Sequence, residues 1–149
     1  MLSLLKNSQI VRHSNAVTAG SSAITPSAGV DRSNAEVVTF LVPFGAITSG
    51  GVQSIEVHQS DDDGVADAYS ALLGSNVVVA DDDDNKVAVV EIVKPTKRYL
   101  KCVVNRATQN SAIDGILAIL TGLKNYPVTQ GATVVAASES HASPAEGTA

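Results

Sequence analysis

Ser54-Ile55-Glu56-Val57-His58, followed by Gln59-Ser60-Asp61-Asp62-Asp63-Gly64, is the stretch on which the fold turns. Apolar and polar side chains alternate, then give way to an acidic turn closed by glycine. Neighbouring side chains on a strand point to opposite faces, so this pattern is a strand with one face buried and one wet. Its natural limits are Val52 and Ser60.

The same grammar recurs on both sides of it. Upstream, Glu36 to Val42 places Val38, Phe40 and Val42 on one face and Val37, Thr39 and Leu41 on the other. Both faces are largely apolar, so cover on both sides is expected, and Pro43 is expected to end the strand or mark an edge. Downstream, Asn76 to Ala80 and Val87 to Val93 read as strands separated by a second acidic turn, Asp81-Asp82-Asp83-Asp84-Asn85. Arg98 to Val104 reads as a fifth strand, with Leu100, Cys102 and Val104 inward and Tyr99 and Lys101 outward. Asn105 to Ser111 reads as a polar turn.

Two segments are ambiguous. Val65 to Leu73 reads as a short helix capped by Asp63 and Gly74, or as a packed loop. Ala112 to Leu123 suits a buried helix by spacing, but Gly115 and Gly122 each weaken a helix by about 1 kcal/mol. A turn at Asp114-Gly115 leading into a doubly buried strand is the preferred reading.

Outside residues 34–127 the chain changes character. Residues 1–33 and 128–149 are rich in Ser, Ala, Thr and Gly, with scattered apolar side chains. Gln9 to Arg12 and Val134-Val135 are the only short strand candidates there. Both ends are expected to be extended arms around a β-rich domain, the first docking on a partner. The fold class expected is mainly β: a small β-sandwich or jelly-roll-like barrel with extended N- and C-terminal arms.

Composition narrows the function classes. The chain has 149 residues, enough for one domain. Aromatics are 3% of it, with no Trp, and the formal net charge is −5. A nucleic-acid binder needs a positive field and stacking side chains, so direct nucleic-acid binding is not expected. Met1 to Lys6 is too short for a signal-peptide core and no apolar run reaches membrane-spanning length, so no membrane association is expected.

Chemistry-bearing patterns are sparse. Neither acidic turn has the spacing of a calcium loop. The lone Cys102 lies in an apolar strand and reads as a buried hydrophobe. His13, His58 and His141 are far apart, and His58 reads as a surface side chain. Gly50-Gly51 lacks the Lys-Ser/Thr of a phosphate loop. No catalytic, cofactor-binding or metal-ligating residue is expected, and no enzyme. Lys97-Arg98-Tyr99 is the most distinctive short stretch, with its two cations open to an acidic partner or simply opening an edge strand.

Ser54 to Gly64, then Leu73-Gly74, then Lys97-Arg98-Tyr99-Leu100 with Val103-Val104, resembles small virion proteins of tailed bacteriophages. Asp31-Arg32 and the Asn110 to Leu123 stretch fit the same pattern, while the Asp81 to Asp84 run departs from it. The resemblance covers roughly Ala28 to Pro127. It implies a capsid decoration protein, a cement or head-stabilising structural protein located on the capsid surface of a virion assembled in the host cytoplasm. Its partners would be the major capsid protein and copies of itself as a homo-oligomer, dimer or trimer. Rival readings are a neck, tail or fibre component, a carboxylate-based hydrolase and a cell-surface adhesion module.

Overall fold

Valine, isoleucine and leucine in alternation leave the chain little choice but to pair strands, and eleven form in a computed structural model that describes residues 3–143 and 145–147. A one-turn helix α1 (Leu4–Asn7) precedes β1 (Gln9–Ser14), β2 (Val17–Gly20), β3 (Val30–Asp31), β4 (Val37–Ile47), β5 (Val52–Ser60), β6 (Ser70–Ala71), β7 (Val77–Val79), β8 (Val87–Val93), β9 (Tyr99–Ala107), β10 (Ser111–Ile113) and β11 (Ile116–Thr121). The molecule is mainly β, a small sandwich of two curled antiparallel sheets.

In the first sheet β4 is central. β8 pairs along one side of it, and β11 and then β10 pair along the other. β1 extends the sheet beyond β11, and β2 beyond β10. In the second sheet β5 and β9 form the longest pair, flanked by β3 beside β9 and by β6 and β7 beside β5. Between the sheets lie Val38, Phe40, Val42 and Phe44 of β4, Ile55 and Val57 of β5, Leu100, Cys102 and Val104 of β9, and Ala118 and Leu120 of β11. Each large side chain buried this way stabilises the fold by about 1.5–3 kcal/mol relative to exposure.

Pro43 does not end its strand. β4 runs on through it to Ile47, because the missing N–H falls where β11 gives way to β10. Its carbonyl there accepts the Asp114 N–H at 2.9 Å. A proline is tolerated inside a sheet where the ladder is already interrupted.

Ala112 to Leu123 is strand rather than helix, broken in two at Asp114-Gly115. Gly115 has φ of 128°, and a Cβ there would lie 2.9 Å from the Ser14 carbonyl oxygen, so the break needs glycine. The expectation of a doubly buried strand is corrected. Ile116, Ala118 and Leu120 are buried, whereas Leu117 is 38% exposed and Ile119 half-buried, because among the described residues no layer covers that face of the sheet. β4 behaves alike: Val37, Thr39 and Leu41 are only half-buried.

The N-terminal arm is also corrected. Residues 9–31 supply β1, β2 and β3 of the chain's own sheets rather than lying outside the β domain. Ile24 adds a bridge to Val104. Gln9 to Arg12, the strand candidate there, forms β1, whereas β2 and β3 carry no alternation to read, because edge strands need little apolar patterning to pair. Met1 and Leu2, assigned to the same arm, lie outside the described residues, as do Pro144, Thr148 and Ala149 of the C-terminal arm. Within the latter, Val134-Val135 is not a strand: both N–H groups fold back to the Gly131 carbonyl, at 2.9 Å each.

Val65 to Leu73 contains no helix. The Asp62 carboxylate does accept the Val65, Ala66 and Asp67 N–H groups, as an N-cap would. The chain then turns extended, because Ser70 and Ala71 pair with Gln59 and His58. Val65 and Leu73, apolar side chains a packed helix would bury, are exposed. Asn105 to Ser111 is likewise mostly strand, since β9 continues to Ala107.

Candidate interaction surface

The short motifs singled out in the sequence are tied up within the chain. In the first acidic turn, Asp63 accepts the Gly29 N–H at 2.7 Å and the Tyr69 hydroxyl. A Cβ at Gly29 would collide with that hydroxyl, at 2.0 Å. Lys101 sits over the Tyr69 ring, 3.8 Å from its centroid, and donates to the Ser27 carbonyl at 3.2 Å. It is thus 7% exposed rather than outward in solvent, because the segment before β3 folds across it. The Tyr69 bond holds the Asp63 carboxyl below the usual carboxylate range. Asp67 accepts from Lys97 at 2.6 Å and from the Asp61 N–H at 2.7 Å.

The second acidic turn is a latch. Asp81 accepts the Gly50 N–H at 2.6 Å, Asp84 accepts the Ile47 N–H, and Asp83 accepts the Ala80 N–H at 3.0 Å and the Lys86 ammonium at 2.6 Å. Backbone amides and one lysine offset the crowding of four aspartates. Among the described residues no group of three or more His, Cys, Asp or Glu side chains converges as metal ligands.

Lys97-Arg98-Tyr99 is occupied too. Lys97 pairs with Asp67, and the Arg98 guanidinium grips Asp31 through two bonds of 3.0 and 2.7 Å while lying 5.0 Å from the Tyr99 ring centroid. That grip holds the Asp31 carboxyl down to about 2. The cations expected to be open to an acidic partner instead fasten the start of β9 to β3 and to the acidic turn. His58 bonds Glu56 at 2.8 Å on the half-exposed face of β5. Cys102 is fully buried, and burial pushes its thiol up to about 12, far from thiolate chemistry.

Two side chains that pattern reading passed over hold the sheets together. Arg106, 8% exposed, donates to the carbonyls of Ser22, Thr18 and Ser111 at 2.7, 3.1 and 2.6 Å, pinning β2 and β10 to β9. His13 on β1 fills a gap along β9. Val30 flanks Leu100 and Ile24 flanks Val104, and between them the Cys102 N–H donates to His13 Nε2 at 3.2 Å. Burial first, and then the Lys101 charge, lower His13 to about 4. Neither has a sequence signature, because each acts through backbone carbonyls or amides that any residue carries.

Val52, Val65, Leu73 and Val78 are exposed beside the second sheet, but the surface where exposed apolar side chains line up in cross-strand rows is the outer face of the first sheet. Arg12, Leu117, Leu41 and Val89 form one cross-strand row over β1, β11, β4 and β8. The next row is Ile10, Ile119, Thr39 and Glu91, and the one after it Thr121, Val37 and Val93. Val87, Val89 and Val93 are 53%, 47% and 61% exposed. Thr39 donates to Glu91 at 2.8 Å. At the Thr121 end a hollow of about 640 Å³ opens, lined in part by Leu4 and Tyr126. Among the described residues β8 is an edge strand, paired only with β4.

No family model matches the chain, and none of the curated proteins matches it. Among solved structures it is similar to a chain of the T13 viral particle of infectious bursal disease virus, at 15% identity and a TM-score of 0.43, covering 83% of this chain and 33% of that one. A chain of the Gx strain of the same virus gives 19% identity, 83% and 32% coverage and a TM-score of 0.43. A chain of the disulfide-linked pili of Bacillus endospore appendages gives 16% identity, 80% and 94% coverage and a TM-score of 0.42. The chain spans about a third of the length of the viral chains it matches. The likeness concerns backbone arrangement alone.

Proposed function

We propose that this chain is a non-enzymatic virion structural protein, a decoration or cement protein that binds the outside of a tailed-phage capsid and stabilises capsomer junctions. Its partners are the major capsid protein and further copies of itself. The observation that carries this reading is the apolar, uncovered outer face of β8, β4 and β11, a surface suited to assembly. The resemblance of Ser54 to Gly64 and of Lys97 to Leu100 to small phage virion proteins supports it. The acidic turns fit it as well, since their carboxylates hold loops in shape. Contacts with partners are made by this face and by the exposed C-terminal segment, since residues 9–31 are paired within the chain's own sheets.

The test is to add purified protein to empty capsids that lack it. The expected result is co-sedimentation, added density on the outer shell by cryo-electron microscopy, and a higher temperature of shell disruption. Density at the neck, tail or fibres instead, or no association with shells, overturns the reading.

A further inference from the structure

We propose that the outer face of the first sheet is a self-complementary dimer interface, occupied by a second copy of this chain related by a twofold axis. The inference rests on reading that face as an assembly surface, and it names the partner. The strand order across the face is β8, β4, β11, β1. A half-turn about an axis parallel to the strands, between β4 and β11, lays β1 of one copy over β8 of the other. The same operation lays β4 over β11. Leu41 and Leu117 share a row, so each meets the other's counterpart at the centre.

Charge completes the fit. Arg12 stands at one flank of the face and Glu91 at the other, one row along. Within one chain they are three strands apart, about 14 Å, too far to pair. Among the described residues neither makes a salt bridge. In the twofold arrangement Arg12 of each copy reaches Glu91 of the other. Sheets stacked face to face lie about 10 Å apart, a gap these two side chains span. An isologous contact must present complementary groups to itself, and an apolar centre flanked by one cation and one anion does so. The patch is only about 20 Å on a side. That is the low end for a specific interface, so the dimer is expected to be weak and concentration-dependent.

The test uses sedimentation equilibrium of the full chain. The wild-type protein is expected to pass from monomer to dimer with rising concentration. Arg12→Glu alone and Glu91→Arg alone should each weaken the dimer by at least about tenfold, since each sets like charges against each other twice. Mixing the two variants should restore dimer, because a heterodimer pairs Glu with Arg at both flanks. Circular dichroism of each variant checks that the fold is kept; both positions are exposed. A wild-type protein monomeric throughout, a dimer untouched by Arg12→Glu, or a mixture that stays monomeric overturns the proposal. An untouched dimer would instead point to strand addition along the open edge of β8. Failure here is separable from failure of the capsid reading: a monomer that decorates shells sinks only the dimer, and a dimer that ignores shells sinks only the capsid role.

Discussion

His13 and Gln53 show how single side chains set the stability of this sandwich. His13 titrates at about 4 when folded, against 6.5 when free. The unfolded chain therefore binds the extra proton across that window, and stability falls as pH drops from about 6.5 to about 4, then levels off as far as this group is concerned. The full effect is roughly 3 kcal/mol. Urea unfolding between pH 7 and pH 4.5 should show the loss, and His13→Gln should flatten it; an unchanged profile in the variant would assign the loss elsewhere. Gln53 is 1% exposed, and among the described residues its side-chain nitrogen and oxygen have no hydrogen-bond partner. An unsatisfied buried amide costs about 1–3 kcal/mol. Replacing it by methionine, of similar length, should raise stability by about 1 kcal/mol, read as a higher urea midpoint at constant slope.

At the scale of elements, β1 is the test of what the N-terminal residues do. It covers β11 and carries His13 to β9, so deleting residues 1–15 should abolish cooperative unfolding. Deleting residues 137–149 should leave the melting temperature nearly unchanged, since 137–143 are exposed and form no strand. A melting curve of each truncation decides both. Alternation made β5 and β8 legible to the residue, because each has one dry and one wet face. It misjudged β4 and β11, whose apolar outer residues look like buried ones until the absence of a covering layer is seen. It could not find β1 to β3 as sheet members, because their pairing partners lie about 70 to 110 residues away along the chain. The proposed interface was half visible: Leu41 and Leu117 stood out as apolar, but only register brings them into one row with Arg12 and Val89.

For the molecule as a whole, dominance of distant strand pairings predicts slow folding, in milliseconds to seconds. Stopped-flow refolding measures this directly, and microsecond folding would contradict the topology described. If the outer face pairs two copies, the melting temperature should also rise with protein concentration, and that rise should vanish in Arg12→Glu.

The pairing of β1 with β11 has a consequence for how the protein is made. Gln130 donates to the carbonyls of Leu5 and Ser8, at 2.9 and 2.7 Å, and accepts the Ile10 N–H at 3.0 Å, so the stitching extends past the last strand. β1 therefore leaves the ribosome well ahead of β11, the strand it pairs with. A nascent chain stalled anywhere before residue 116 exposes β1 without its mate, and such fragments are natural clients for chaperones and proteases until β11 emerges.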